Sequence, residues 1–124
     1  MVSCSDGRER RRLTYRELGQ YVDRCAARLV QLGIGKDDVV SLHMPNGWEF
    51  PVMVFAAMRA GAIPNPIPII YREFELSFML RHAGSKLLMT PVEFRGFGHA
   101  ALAKKLKQEI STLQHVVTTD GRVD

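Results

Sequence analysis

Apolar positions in this chain switch repeatedly between two periods, and the switches fall at glycines and prolines. Leu18, Val22, Cys25, Leu29 and Leu32 are spaced by four, three, four and three, which is one face of a helix. Arg16, Asp23, Arg24 and Arg28 lie largely off that face. Thr14-Tyr-Arg-Glu17 reads as a capping box, each end satisfying a free amide, and Gly33 supplies the left-handed stop. Val39–Met44 is a short apolar run closed by Pro45, which predicts a buried strand. Asn46 and Glu49 repeat the cap pattern and open a helix through Ala60, with Gly61 as its end. Pro51 falls late in the first turn of that helix, so its start is expected a residue or two beyond Asn46.

Ala62–Pro68 is expected to be extended, because each X-Pro pair pushes the preceding residue away from helix. Three prolines argue against a regular central strand there. Tyr71–Ala83 carries Phe74, Phe78 and Leu80/Ala83 at near-helical spacing and ends at Gly84. Lys86–Thr90 predicts a strand stopped by Pro91, and Glu93–Ala100 (EFRGFGHA) a loop. His99–Ile110 is a helix with Leu102, Leu106 and Ile110 inward and Lys104, Lys105 and Lys107 outward, followed by a last strand, His115–Thr119. Upstream, residues 2–5 and 8–13 flank Asp6-Gly7, a favoured hairpin turn. Helix then strand, repeated four times, means parallel strands joined by right-handed crossovers. The predicted fold is α/β: an open, mainly parallel sheet with flanking helices, preceded over residues 1–13 by a hairpin or basic arm. The apolar run PNGWEFPVMVFAAMRAGAIPNPIP at 45–68 then resolves into a buried helix and a proline-ruled strand. Arg59 sits where the helix dipole favours a cation.

Totals narrow the picture. With 124 residues, 46% hydrophobic and 24% charged, the chain is sized for one domain with a real core. Arg59 interrupts the best apolar stretch, so no membrane span is expected. The basic cluster near the start has no apolar segment behind it, which argues against a secretory signal. Two cysteines, Cys4 and Cys25, make no disulfide framework, and a cytoplasmic location fits. The net charge is +4, of which Arg8, Arg10, Arg11 and Arg12 against Glu9 supply +3. Such a patch reads first as a solvated arm. Nucleic-acid binding through it is a competing expectation, although no aromatic residue interleaves it to stack on bases.

The search for chemistry assigns no catalytic, cofactor-binding or metal-binding residue. Leu32–Asp38 (LGIGKDD) has glycines and a lysine, but it runs from helix into strand, the reverse of a phosphate loop. His43, His82, His99 and His115 stand on separate elements without ligand spacing. Asp37-Asp38 is expected to solvate a connection, and Cys25 to be core rather than nucleophile. The strand ends where open parallel sheets bind ligands read HMPNG, NPIP, TPVE and TTDG: small polar groups, no charged constellation. A free-standing α/β binding or signalling module has the right size, yet the phosphate loop or acidic cluster such modules use does not appear.

The order and spacing of the pieces resemble a known family. LTYRELGQYVDRCAARLVQLGIGKDDVVSLHMPNGWEF and AAMRAGAIPNPIPIIYREFELSFMLRHAGSKLLMT look like the opening of the large domain of AMP-forming acid–CoA ligases. This adenylate-forming superfamily includes acyl- and aryl-CoA synthetases and luciferases. The resemblance runs from about Asp6 to Gly121 and implies that residues 14–124 are a partial AMP-binding domain. It implies a parent reaction in which ATP activates a carboxylate, a fatty acid among the candidates, to an acyl-adenylate that coenzyme A captures. ATP, Mg and CoA are therefore implied for the full-length family, but none for this chain. The family's phosphate loop, its aromatic-Gly-x-Thr-Glu segment, its ribose-holding Asp and its C-terminal lysine have no counterpart here. The resemblance thus implies a segment inactive alone, with an open sheet edge. Its expected partner is the rest of the ligase or a second copy.

Overall fold

A computed structural model describes residues 2–5 and 10–120, with side chains from Arg12 to Asp120. The chain opens with an antiparallel pair, β1 (Val2–Ser5) and β2 (Arg10–Leu13). The register sets Ser5 opposite Arg10, where a two-residue turn would have set it opposite Arg8; the Asp6-Gly7 turn itself lies outside the described residues. Of the basic cluster, Arg8 lies outside them too, while Arg10, Arg11 and Arg12 belong to β2, and Arg12 is exposed.

Next comes α1 (Tyr15–Gln31). Thr14 Oγ1 accepts the Glu17 amide at 3.1 Å, so the threonine half of the expected box is present. The helix closes at Gly33 (φ 84°), with Ile34 N–H donating to Leu29 O and Gly33 N–H to Val30 O. That is a Schellman stop, completed by the burial of both Leu29 and Ile34. The glycine of LGIGKDD therefore serves the helix end. The same segment is tied down by Asp38, whose carboxylate accepts Gly35 N–H at 2.9 Å and Lys86 Nζ at 3.2 Å. These donors, the Gly35 amide first, hold the Asp38 carboxyl below its usual range.

Four parallel strands make the main sheet: β3 (Val39–His43), β4 (Ile63–Ile67), β5 (Leu87–Thr90) and β6 (His115–Thr118), in the order β4-β3-β5-β6. The prolines explain the position of β4. Ile63 N–H donates to Asp38 O across the β3 ladder, so the alternate nitrogens, of Pro64 and Pro66, face away from β3. The strand forms, and it forms at the edge, where a missing donor costs no ladder bond. Proline also blunts that edge against further pairing.

Between the strands run α2 (Glu49–Arg59), α3 (Glu73–Ala83) and α4 (His99–Glu109). α2 starts at Glu49 with Trp48 rather than Asn46 at its cap, and without a side-chain cap bond. Pro51 becomes the third helical residue, where the amide has no intrahelical acceptor, so its imino nitrogen loses nothing. Ala56 and Ala57 are fully buried, and their small side chains let α2 lie close on the sheet. α3 corrects one expectation. Leu76 and Leu80 face the core, whereas Phe74 and Phe78 are 85% and 65% exposed. Aromatic spacing in that segment follows the outer face of the helix. α4 buries Leu102 and Leu106, with Ile110 just beyond it, as its pattern predicts.

The sheet thus divides two cores. Val40, Leu42, Leu87 and Met89 meet α1 and α2 residues such as Leu29, Met53, Ala56 and Ala57. On the opposite face Ile67, Leu88 and Val116 meet Leu76, Leu80, Leu102 and Leu106 of α3 and α4. Among the described residues no helix is long and apolar enough to cross a membrane.

Candidate functional site

Parallel strands present their carboxyl ends at one edge of the sheet, and ligands of open α/β folds bind beyond that edge. Register brings four residues into one row there. His43 pairs with Ile67, Thr90 pairs with Thr118, and His43 stands one step beyond the Leu42–Met89 pair, level with Thr90. All four side chains are buried, and by strand alternation they share the α3/α4 face. Deeper on that face, Ser41 and Ser85 share a hydrogen bond and Asn65 donates to Ser41 Oγ at 3.1 Å.

His99, the first residue of α4, reaches the same edge. Its ring meets His43 edge to face at 5.2 Å between centroids, and Phe97 at 4.8 Å. The loop before α4 is the reason. Arg95 and Gly96 both have positive φ (49° and 79°), and Phe94 and Phe97 exchange two backbone bonds, which makes a tight turn that delivers Phe97 and His99 to the sheet. Arg72 lays its guanidinium 4.0 Å over the Phe97 ring. The histidines that the sequence separates by two entire helix–strand units are neighbours in space. Only the topology could show this, because their spacing follows no ligand pattern.

Electrostatics keeps the pair neutral. Burial, then the neighbouring His99, pushes His43 down to about 4, against the opposing pull of main-chain hydrogen bonds at Tyr71 and Pro68. Burial, then Arg72, lowers His99 as well. Among the described residues, His43 Nε2, Thr90 Oγ1 and both ring nitrogens of His99 make no hydrogen bond. Thr118 Oγ1 donates to the Asp120 carboxylate. Two neutral imidazoles and hydroxyls do not fit a triphosphate–magnesium site, which needs fixed cations and carboxylates. Among the described residues no three His, Cys, Asp or Glu side chains gather at metal distance.

The other face of the same edge carries a groove of about 230 Å³ between α1, the start of α2 and strands β5 and β6. Tyr21, Cys25, Trp48, Met89 and Val117 line it. Tyr21 and Trp48 pack at 5.1 Å. Cys25 is half-buried, and burial pushes its thiol up, away from a nucleophilic thiolate. Sequence periodicity places Cys25 in the core, and the structure puts it at the core's margin, packed against the α1/α2 cluster.

A four-stranded parallel sheet in the order β4-β3-β5-β6, with helices on both faces, places the protein among open α/β folds. Comparison narrows this to a family: the AMP-binding enzyme pattern matches residues 1–123, and the chain belongs to that family of adenylate-forming enzymes. Triostin synthetase I of Streptomyces triostinicus is 41% identical over 108 residues, which are 87% of this chain and 20% of that protein. Salicyl-AMP ligase / salicyl-S-ArCP synthetase of Mycobacterium tuberculosis is 39% identical over 109 residues, 88% of this chain and 19% of that one. Among solved structures, an anthranilate CoA ligase bound to anthranoyl-AMP superposes with a TM-score of 0.79 at 22% identity, over 89% of this chain and 20% of its own, and shows the shared fold. The chain spans about a fifth of the length of these relatives.

Proposed function

We propose that this chain is the N-terminal scaffold segment of an AMP-forming carboxylic acid ligase and carries out no adenylation alone. In the parent reaction a carboxylate attacks the α-phosphate of ATP, releasing pyrophosphate and leaving an acyl-adenylate. A thiol, coenzyme A in the ligases, then displaces AMP to give a thioester. The observation that carries the reading is the family match along residues 1–123. That stretch corresponds to a fifth of the relatives' length. The strand ends are consistent with it: His43, Thr90 and Thr118 are buried there, and among the described residues no three His, Cys, Asp or Glu side chains gather at metal distance. The segment's contribution is a sheet with its two helical layers, against which the nucleotide-handling parts are built. The relatives' names span aryl acids and fatty acids, so the acid itself belongs to residues outside this segment.

Carboxylate-dependent exchange between ATP and labelled pyrophosphate tests this directly. The purified chain is expected to give none with aromatic or aliphatic acids. Grafted in place of the matched segment of salicyl-AMP ligase, it is expected to yield a chimera active on salicylate. Exchange by the isolated chain would overturn the proposal.

A further inference from the structure

Helix α3 buries Leu76 and Leu80 and turns two large aromatic rings the other way. Phe74 and Phe78 lie one turn apart on its outer face, and Glu73, Ser77 and Arg81 run beside them at the same spacing of four. These five residues border one shallow concavity. The His82 ring stacks on Phe78 at 5.7 Å and extends the apolar strip toward the end of the helix. Paired aromatic rings at this exposure, rimmed by charge, mark a contact surface rather than scattered apolar residues. The strip is separate from the groove beside β6, because α3 lies on the opposite face of the sheet.

Charge on this strip has an order. Glu73 opens it and Arg81 closes it, about 12 Å further along the helix axis. Arg81 Nε donates to Ser77 Oγ at 3.2 Å, which draws the guanidinium onto the strip. From the α4 side Lys105 Nζ donates to Oε1 of Glu73 at 2.5 Å, and a carboxylate has a second oxygen for a second cation. An acid at one end, a base at the other and aromatic rings between them make a surface complementary to its own reversed copy. A two-fold axis at Ser77 sets Glu73 of each copy against Arg81 of the other and gathers four phenylalanine rings on one flank. Ser77 is small, so the two helices can approach closely at that axis.

We propose that the outer face of α3 is a self-association surface, and that its occupant is the same face of a second copy of this chain, packed antiparallel about a two-fold axis at Ser77. The phenylalanines supply the apolar contact, and the two Glu73–Arg81 pairs fix direction and register. One helix face is small beside the roughly 800 Å² per partner of a standard interface, so the pairing is weak, with a dissociation constant on the order of 100 μM.

Analytical ultracentrifugation of the purified chain from about 10 μM to about 1 mM tests this. The wild-type chain is expected to pass from monomer to dimer across that range. Phe78→Glu should weaken pairing about tenfold or more. Glu73→Arg and Arg81→Glu should each do the same, because each sets like charges together at both contacts. Mixed one to one, these two single variants should regain the wild-type affinity within about threefold, since each copy then supplies the charge the other lacks. All three side chains are exposed, so the variants are expected to fold, which circular dichroism checks. Should Glu73→Arg fail to fold for want of the Lys105 bridge, Phe78→Glu and Arg81→Glu still decide. A chain that stays monomeric at about 1 mM would overturn the proposal. So would single variants that pair as the wild type does, or a mixture no tighter than its components. Pairing abolished by Val117→Glu but not by Phe78→Glu would give the contact to the β6 side and equally overturn it.

Discussion

The two faces of the sheet are built from the same kinds of residue in their interiors and differ at their rims. On the α1/α2 face Val40, Leu42, Leu87 and Met89 meet alanines and methionines, and the layer stops short at an apolar groove beside β6. On the α3/α4 face the layer reaches the carboxyl edge and closes over His43, Thr90 and His99, where His43 Nε2, Thr90 Oγ1 and both His99 ring nitrogens make no hydrogen bond among the described residues. One face therefore leaves apolar surface open, and the other has polar groups already covered. The difference separates two costs. Exposed apolar surface is relieved when something packs on it. A buried polar group lacking a partner is a standing penalty on the folded state.

Truncation of the two interiors offers the largest test of the comparison. Leu42→Ala on one face and Leu88→Ala on the other remove fully buried side chains and should each cost about 2–5 kcal/mol in urea unfolding. Should Leu42→Ala cost under about 1 kcal/mol while Leu88→Ala costs the full amount, the α1/α2 layer is not a packed core in the isolated chain.

Acid should single out the histidine face. His43 sits at about 4 in the folded chain against 6.5 when exposed, so the unfolded state binds more protons between those values. The contribution of neutral His43 is whole above about pH 6.5. It shrinks as pH falls toward 4, by on the order of 3 kcal/mol in total. The loss should appear in urea melts taken across that window and be much reduced in His43→Gln. An unchanged pH slope in the variant would show that the ring is not buried neutral.

The smallest effect belongs to the Arg59–Asp23 ion pair, which ties α2 to α1 on the exterior. Both side chains are more than half exposed, so a double-mutant cycle should return about 0.2–1 kcal/mol, and less in high salt. A larger coupling would mean that this ion pair, rather than the apolar interior, positions α2 on that face.

Much of the architecture was legible because it is written in short-range chemistry. Thr14, Gly33 and Gly84 act within a few residues of themselves, and the 3.6-residue period of α1 and α4 needs no knowledge of a partner. Pro64 and Pro66 spoke against a central strand, and β4 is an edge strand for the hydrogen-bonding reason that made them suspect. The misses share a cause as well. Asn46 has the right chemistry for a cap, but the chain turns at Gly47 and the helix begins at Glu49, out of its reach. Phe74 and Phe78 are apolar at helical spacing, yet periodicity reports that a face exists and not which side of the helix meets the sheet.

By itself, then, the sequence determined the number, type and order of the elements, and through their order the family, because caps, turns and periodicity act along the chain. Tertiary structure alone decided that His43 and His99 meet and are held neutral, and that Cys25 and Trp48 share a groove with Val117. Those facts depend on which strands become neighbours and on which face each crossover helix lands. Both are settled by burial over the whole sheet, a sum to which distant residues contribute as much as adjacent ones.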